Sequence, residues 1–232
     1  IPDPSRVEDD GSSRNIELPY SFVNHLKATT HQEYAWEKLL LQWDLGYQNN
    51  HREEWSRFHT HYGTQPVPEK DPDKELAFIL NTFSSGVKAR LTGSSVWDHS
   101  AGWDMQYQRN TIAGYSFLLP EYTRFTTGVS WLTTYKPTDV LSVSGGLRYD
   151  IGKTDISSFT DSYLETYLRE QGYSQEVIDR NKVRSHAVDR TFGDYSASLG
   201  VVWSPVKEHL LKANIGHSFR LPGANELASN GV

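Results

Sequence analysis

The chain has 232 residues, a net charge of −6 and no cysteine. The acidic balance lacks the basic footprint of a nucleic-acid-binding protein, and the missing cysteine excludes disulfides, thiolate metal sites and a cysteine nucleophile. Aromatic residues make up 12% of the chain, although its mean hydropathy is −0.61. No run of about 18 apolar residues predicts a transmembrane helix, whereas a transmembrane β-strand needs only about ten residues with every second one apolar.

Apolar and polar residues alternate with a period of two along most of the chain. The clearest runs are residues 39–48, 100–110, 124–135, 140–151, 193–203 and 210–219, with weaker ones at 20–27 and 76–91. Each run predicts a strand with one apolar and one polar face. Trp and Tyr often stand near the strand ends on the apolar face, which suits a membrane–water interface. A soluble antiparallel sandwich has the same alternation, so the pattern alone leaves both architectures open.

The connections between these runs differ greatly in length. Two are short and contain proline, at 136–139 and 204–209, whereas residues 52–75 and 152–190 form long loops. In up-and-down strands, short turns then lie at one end and long loops at the other, as in outer-membrane barrels. The longest loop also predicts two helices, one with a capping box at Ser162 and Glu165 and a stop at Gly172, and another starting at Ser174. These helices either cover a pore from the outside or belong to a solvated surface loop without a function of its own.

The last strand leads into a recognisable segment. It ends in Ser218-Phe219-Arg220 and is followed by Pro222 and by Glu226-Leu227, which resembles the Phe-Arg-x-Pro…Glu-Leu segment of TonB-dependent outer-membrane receptors. The stretch "LPEYTRFTTGVSWLTTYKPTDVLSVSGGLRYD" at 119–150 is similar to consecutive strands of the same family, and "LGYQNNHREEW" at 45–55 resembles another of its strands. The resemblance covers about residues 18–232.

This resemblance implies an all-β fold of antiparallel up-and-down strands, taken from a 22-stranded transmembrane β-barrel, with short helices in one long extracellular loop. About eight strands are predicted, and no plug domain or TonB box is recognisable. Residues 1–232 are therefore expected to be an internal, partial barrel domain. An isolated sheet of this kind has two open edges, which predicts self-association through them.

The implied function is that of an outer-membrane receptor of a Gram-negative bacterium. It would take up a ferric siderophore or a similar iron complex, energised by the TonB complex acting on the missing plug domain. The expected partners are TonB, outer-membrane lipid and the metal chelate, with no nucleic acid and no cofactor. Zinc or another metal, haem, cobalamin and a glycan remain alternative ligands. A passive porin and a soluble β-sandwich binding module are alternatives of another class.

No catalytic residues are predicted. Asp98, His99 and Ser100 are adjacent, but in a strand His99 points away from the other two, so they cannot form a triad. The chain is therefore not expected to be an enzyme.

The candidate ligand-binding residues lie in loops and at motif positions. His59 and His61 alternate in the first long loop, with His51 nearby, and imidazole nitrogens at this spacing could bind a divalent metal. Solvated loop histidines are the alternative. Arg220 and Glu226 match the family motif, which implies a role near the extracellular rim in contact with plug or ligand. Alternatively, Arg220 pairs with a neighbouring carboxylate and fixes the loop.

Overall fold

The computed structural model describes residues 16–60, 62, 65–91 and 93–228. Within these residues the chain forms ten strands and three short helices. They are β1 (Tyr20–Trp36), β2 (Leu39–Trp55), β3 (Lys74–Leu91), β4 (Trp97–Ala113), β5 (Tyr122–Thr138), β6 (Leu141–Ile156), β7 (Phe159–Thr160), α1 (Ser162–Glu170), α2 (Gln175–Asn181), β8 (Val183–Ser185), β9 (Val188–Val206), β10 (His209–His217) and α3 (Ala224–Ala228). None of the helices in the described part of the chain is long and apolar enough to cross a membrane.

Eight strands form one antiparallel sheet in the order β1-β2-β3-β4-β5-β6-β9-β10, and β7 and β8 form a separate two-stranded sheet. The predicted up-and-down arrangement is confirmed. β1 and β10 do not pair with each other, so the sheet is open at both edges. A sandwich needs two large packed sheets, and the described residues form only one.

The strands are longer than the alternation predicts. Seven of the eight contain 16 to 19 residues, whereas the clear runs in the sequence contain 10 to 12. β2, for example, continues through Asn49, Asn50 and Glu53 up to Trp55, and each of these residues has a partner on β1. The alternation ends earlier because side chains beyond the apolar region are polar on both faces.

The connections are segregated as predicted. Residues 37–38, 93–96, 139–140 and 207–208 form short turns at one end of the sheet, which we call the turn end. The described residues of the connections 56–73, 114–121 and 157–187, together with those that follow β10, lie at the opposite end, which we call the loop end. The loop end therefore carries nearly all of the irregular structure.

Aromatic side chains on the apolar face form two rows. The loop-end row consists of Tyr47, Phe83, Tyr107, Phe125, Tyr149 and Tyr195, the first four of which are direct register partners. The turn-end row consists of Trp36, Trp97, Tyr135 and Trp203, and the rings of Trp97 and Tyr135 stack with centroids 4.3 Å apart.

The spacing of the two rows matches a bilayer. On β4 they are ten residues apart, from Trp97 to Tyr107. Ten residues span about 34 Å along a strand, and a tilt of about 40° reduces this to about 26 Å, close to the apolar band of about 25 Å in outer-membrane barrels. In the register Phe125 faces Lys153, whereas Tyr149 lies four residues closer to the turn end. Such a stagger keeps the row level when strands are tilted.

The polar face is braced by Arg148, which lies on β6. Its guanidinium contacts Asp150 on the same strand and crosses β5 to reach Asp104 on β4, with Nη1–Oδ1 and Nη2–Oδ2 distances of 2.7 and 3.0 Å. The crossing passes over Gly128, where a Cβ would collide with both the guanidinium and the Asp150 carboxylate. Glycine at this position therefore allows one side chain to connect three strands.

We expect Gly128→Ala to weaken the ion pair between Arg148 and Asp104. The added methyl group displaces the guanidinium, so the coupling energy between Arg148 and Asp104, about 0.2–1 kcal/mol for an ion pair of this exposure, falls towards zero. A double-mutant cycle on the free energy of unfolding measures it. Gly145→Ala is the matched control, because the nearest atoms to its added Cβ are 3.8 Å away. An unchanged coupling in Gly128→Ala contradicts the prediction.

Candidate functional site

The two longest connections at the loop end share a small apolar core. Leu164, Leu168 and Ile178 from α1 and α2 are buried together, and Tyr62 and Tyr167 pack against them. Tyr62 comes from the connection 56–73, whereas the other four belong to 157–187. The two connections therefore form one packed unit instead of two independent loops.

Both predicted helices in this unit are present, with one correction at the first cap. The N-cap of α1 is Asp161 and not Ser162, because the Asp161 carboxylate accepts from the backbone N–H groups of Tyr163 and Leu164 at 3.1 and 3.0 Å. Ser174 caps α2 as predicted. Gly172 follows the last turn of α1 with φ of +76°, a left-handed conformation that favours glycine and ends the helix.

A cleft of about 830 Å³ opens between this unit and the connection 114–121. Five aromatic side chains contribute to its lining, namely Tyr62, Tyr115, Phe117, Phe159 and Tyr163. The rings of Phe117 and Phe159 stack in parallel with centroids 3.9 Å apart, which joins the connection 114–121 to the unit. The cleft thus presents flat apolar surfaces to anything that enters from the loop end.

The charged groups in the cleft differ in whether they already bond to a partner within the protein. Glu75 accepts from the Ser56 hydroxyl at 2.7 Å, and Asp161 is engaged in capping α1. Arg184 is half-buried, lines the cleft and forms no ion pair with the described residues. Burial raises the pKa of the Tyr62 hydroxyl, and the positive charge of Arg184 partly opposes that shift. The cleft therefore combines a neutral phenol with one cation that is free to bind a ligand oxygen.

The sequence did not single out these cleft residues. They come from three separate connections, and their alternation with polar residues predicts nothing about their proximity. The signal that could have found them is the presence of aromatics outside the strands, as in Tyr115-Ser116-Phe117, because large apolar side chains in a long loop need a partner to cover them.

The predicted histidine residues are not brought together into a cluster. His51 lies on β2 with Nε2 3.1 Å from a Glu53 carboxylate oxygen. His59 lies in the connection 56–73 with Nδ1 3.3 Å from the Tyr115 hydroxyl, so it borders the cleft. His61 lies outside the described residues. The described residues contain no group of three or more His, Cys, Asp or Glu side chains that could hold a metal, and the metal site at His59 and His61 stays a prediction.

Arg220 and Glu226 form an ion pair that closes the segment after β10. Arg220 Nη1 donates to Glu226 Oε2 at 2.9 Å, and the same carboxylate oxygen accepts from the Gly223 N–H at 2.7 Å. The segment folds over the polar face, where Leu221 lies close against Gly152 of β6. This geometry is that of a carboxylate partner fixing the loop. Contact of either residue with plug or ligand stays a prediction.

Taken together, the open antiparallel sheet, the segregated connections and the two aromatic rows define a partial β-barrel. The chain matches the family "TonB dependent receptor-like, beta-barrel" over residues 3–232, and it belongs to that family. No curated protein sequence matches it.

Three solved structures share the fold. The hemophore receptor HasR of Serratia marcescens, solved as a double mutant in complex with its hemophore HasA and heme, is 20% identical with a TM-score of 0.60, over 91% of this chain and 32% of that chain. The copper transporter OprC is 12% identical with a TM-score of 0.57, over 87% and 32%. The ferric yersiniabactin uptake receptor FyuA from Yersinia pestis is 14% identical with a TM-score of 0.53, over 82% and 27%. The chain thus spans about a third or less of the length of each of these proteins.

We expect the segment after β10 to loosen in acid. The Arg220 guanidinium lowers the pKa of Glu226 from 4.5 to about 2. A depressed folded-state pKa stabilises the segment fully above the unfolded value, and the stabilisation is lost as the pH falls from about 4.5 towards 2. The protection factors of the amides in residues 220–226, which are exchange rates corrected for the intrinsic effect of pH, should therefore fall over this window. Glu226→Gln serves as the control, since its protection should be lower at neutral pH and should not change further over the window.

We expect Asp161→Ala to destabilise α1 by about 1 kcal/mol, because two N–H groups of its first turn lose their acceptor. Hydrogen exchange at Tyr163 and Leu164 should rise about fivefold or more. Asp161→Asn retains a capping oxygen and should stay close to the wild type. Equal protection in Asp161→Ala and the wild type would show that tertiary packing alone holds the helix.

Proposed function

We propose that residues 1–232 form a partial barrel domain of an outer-membrane active-transport receptor of a Gram-negative bacterium, which takes up a ferric siderophore or a similar iron complex with energy delivered through TonB. The observation that carries the ligand class is the aromatic cleft at the loop end. Family membership and the spacing of the aromatic rows support the other parts of the proposal, namely the outer-membrane location and the receptor class. In this arrangement the loop end faces the exterior, and the turn end faces the periplasm.

The cleft suits an organic chelate better than a hydrated ion. The outer faces of the stacked Phe117 and Phe159 rings can offer stacking surface to planar groups, and each good aromatic contact contributes about 0.5–1.5 kcal/mol beyond its buried area. Arg184 can donate paired hydrogen bonds to a carboxylate or phenolate oxygen of the chelate. The metal travels as part of the cargo, and the chain supplies binding surfaces without covalent chemistry.

The polar face of the sheet would line the lumen. Asp104 and Arg148 already bond to each other, which links β4 to β6 at that height. A plug domain that fills the lumen would contact this face and the segment after β10, and force from TonB would act on the plug. The wall would then stay fixed while the plug moves.

The three related structures differ in cargo: ferric yersiniabactin, heme and copper. Haem is the alternative that the cleft favours most, because a porphyrin is planar and its carboxylates could bind Arg184. Zinc or another metal, cobalamin and glycans are weaker candidates. A passive porin would let its solute pass without TonB, and the test below separates the two mechanisms.

We expect Phe117→Ala combined with Phe159→Ala to lower uptake at least tenfold, which corresponds to about 1.4 kcal/mol of binding. The complete receptor is produced in a strain without other iron receptors. Uptake of iron-labelled ferric catecholate, ferric hydroxamate, ferric carboxylate chelates and haem is then measured with and without TonB.

The matched control is Tyr173→Ala, which removes an exposed aromatic ring of the same connection outside the cleft. Surface levels of all variants are compared by labelling intact cells. Uptake that continues without TonB supports a porin. Uptake that the double substitution leaves unchanged places the ligand site outside the cleft.

A further inference from the structure

The apolar face carries a notch of about 670 Å³ between the two aromatic rows. Its floor is formed by Gly145 on β6 and Ala197 on β9. Its walls are larger side chains from four neighbouring strands: Trp131, Leu147, Tyr195, Leu199, Ile215 and His217. The notch is therefore a depression between larger side chains of the apolar face.

The backbone conformation at position 145 does not require a glycine. Its φ is not positive, and the nearest atoms to a Cβ built there are 3.8 Å away, an ordinary contact. The adjacent Gly146 differs, because its Cβ would lie 2.8 Å from a methyl carbon of Leu132. Packing thus explains the glycine on the polar face, whereas Gly145 leaves space that a side chain could fill.

The walls of the notch are poorly covered by the protein itself. Leu147, Leu199 and Trp131 keep 64%, 54% and 50% of their surfaces exposed. Burial of an apolar side chain contributes about 25 cal/mol per Å², so an apolar occupant gains stabilisation from all three. The polar groups near the notch are already satisfied in part, since His217 Nδ1 lies 3.2 Å from the Tyr195 carbonyl oxygen.

The depth of the notch indicates which leaflet it faces. Leu147 and Ala197 lie two residues below Tyr149 and Tyr195 of the loop-end row. Trp131 lies six residues below Phe125, which is about 16 Å at a strand tilt of about 40°. The notch therefore runs from the loop-end row to about the middle of the apolar band. This is the span of one acyl chain in the leaflet on the loop-end side.

We propose that the notch binds an acyl chain of an outer-leaflet lipid. The chain lies over Gly145 and Ala197 between Trp131, Leu147 and Leu199, and the head group lies beside His217 and Tyr195. This inference rests on the outer-membrane placement proposed above. It adds a specific lipid site to a wall that would otherwise contact lipids without preference.

Filling the notch tests the site. The complete receptor carrying Gly145→Leu and Ala197→Leu is purified in detergent, delipidated and titrated with lipid A, the acylated lipid of that leaflet, and bound lipid is counted by native mass spectrometry. The wild type should bind one lipid, and the filled variant should bind it at least tenfold more weakly. Ala89→Leu, the same change on the apolar face of β3, should match the wild type. No bound lipid in the wild type, or equal binding in the filled variant, overturns the proposal.

A second measurement needs no filled variant. Phospholipid with brominated acyl chains quenches nearby Trp fluorescence, and the signal of one Trp is the difference between wild type and its Trp→Phe variant. Trp131 should be quenched at least twofold more strongly than Trp103, which lies on the same face outside the notch. Equal quenching contradicts the site. Both readouts are independent of transport: intact uptake without bound lipid rejects this inference alone, and bound lipid without uptake rejects only the proposed function.

Discussion

The antiparallel register, which shifts only near the strand ends of three pairings, is the constraint on which the rest of the structure depends. Side chains alternate between faces with a period of two, so a slip of one residue between two strands would exchange their apolar and polar faces. Seven strand pairings hold that register across the sheet. It places Phe125 beside Tyr107 on one face and Gly128 between Asp104 and Asp150 on the other. The aromatic rows and the polar brace therefore both follow from the same pairing.

The two faces use small residues for different purposes. On the polar face Gly128 makes room for Arg148, so that a long side chain can span three strands without leaving the wall. Hydrogen bonds of this kind satisfy charged groups locally and stiffen the sheet, because breaking one contact leaves a charge without its partner. On the apolar face, by contrast, no side chain of the protein fills the space beside Gly145. The same residue type thus serves packing on one side and leaves an external space on the other.

The sequence predicts the strands, their direction and the sorting of turns and loops well, because these depend on local alternation. The prolines are expected in two of the turns, but Pro137 and Pro205 lie at the ends of β5 and β9, just before the turns 139–140 and 207–208. It does not predict where strands end, since pairing continues past the point at which Asn49 and Asn50 break the alternation. The first helix cap was predicted one residue too late, at Ser162 instead of Asp161. Both residue types are good caps, and only the backbone geometry decides between them. The cleft was not predicted because Tyr62, Tyr115 and Phe159 meet only through the fold, which no local pattern encodes.

The shared core of the two longest connections has a consequence for how such proteins diversify. Tyr62 belongs to one connection, yet its ring packs on helices of the other. An insertion or exchange in either connection would leave apolar surface bare unless its counterpart changed in step. Chimeras that graft a single loop should therefore fail more often than chimeras that transfer 56–73 and 157–187 as a pair. At this end of the sheet we therefore expect the two connections to be exchanged together, as a packed pair, and not one at a time.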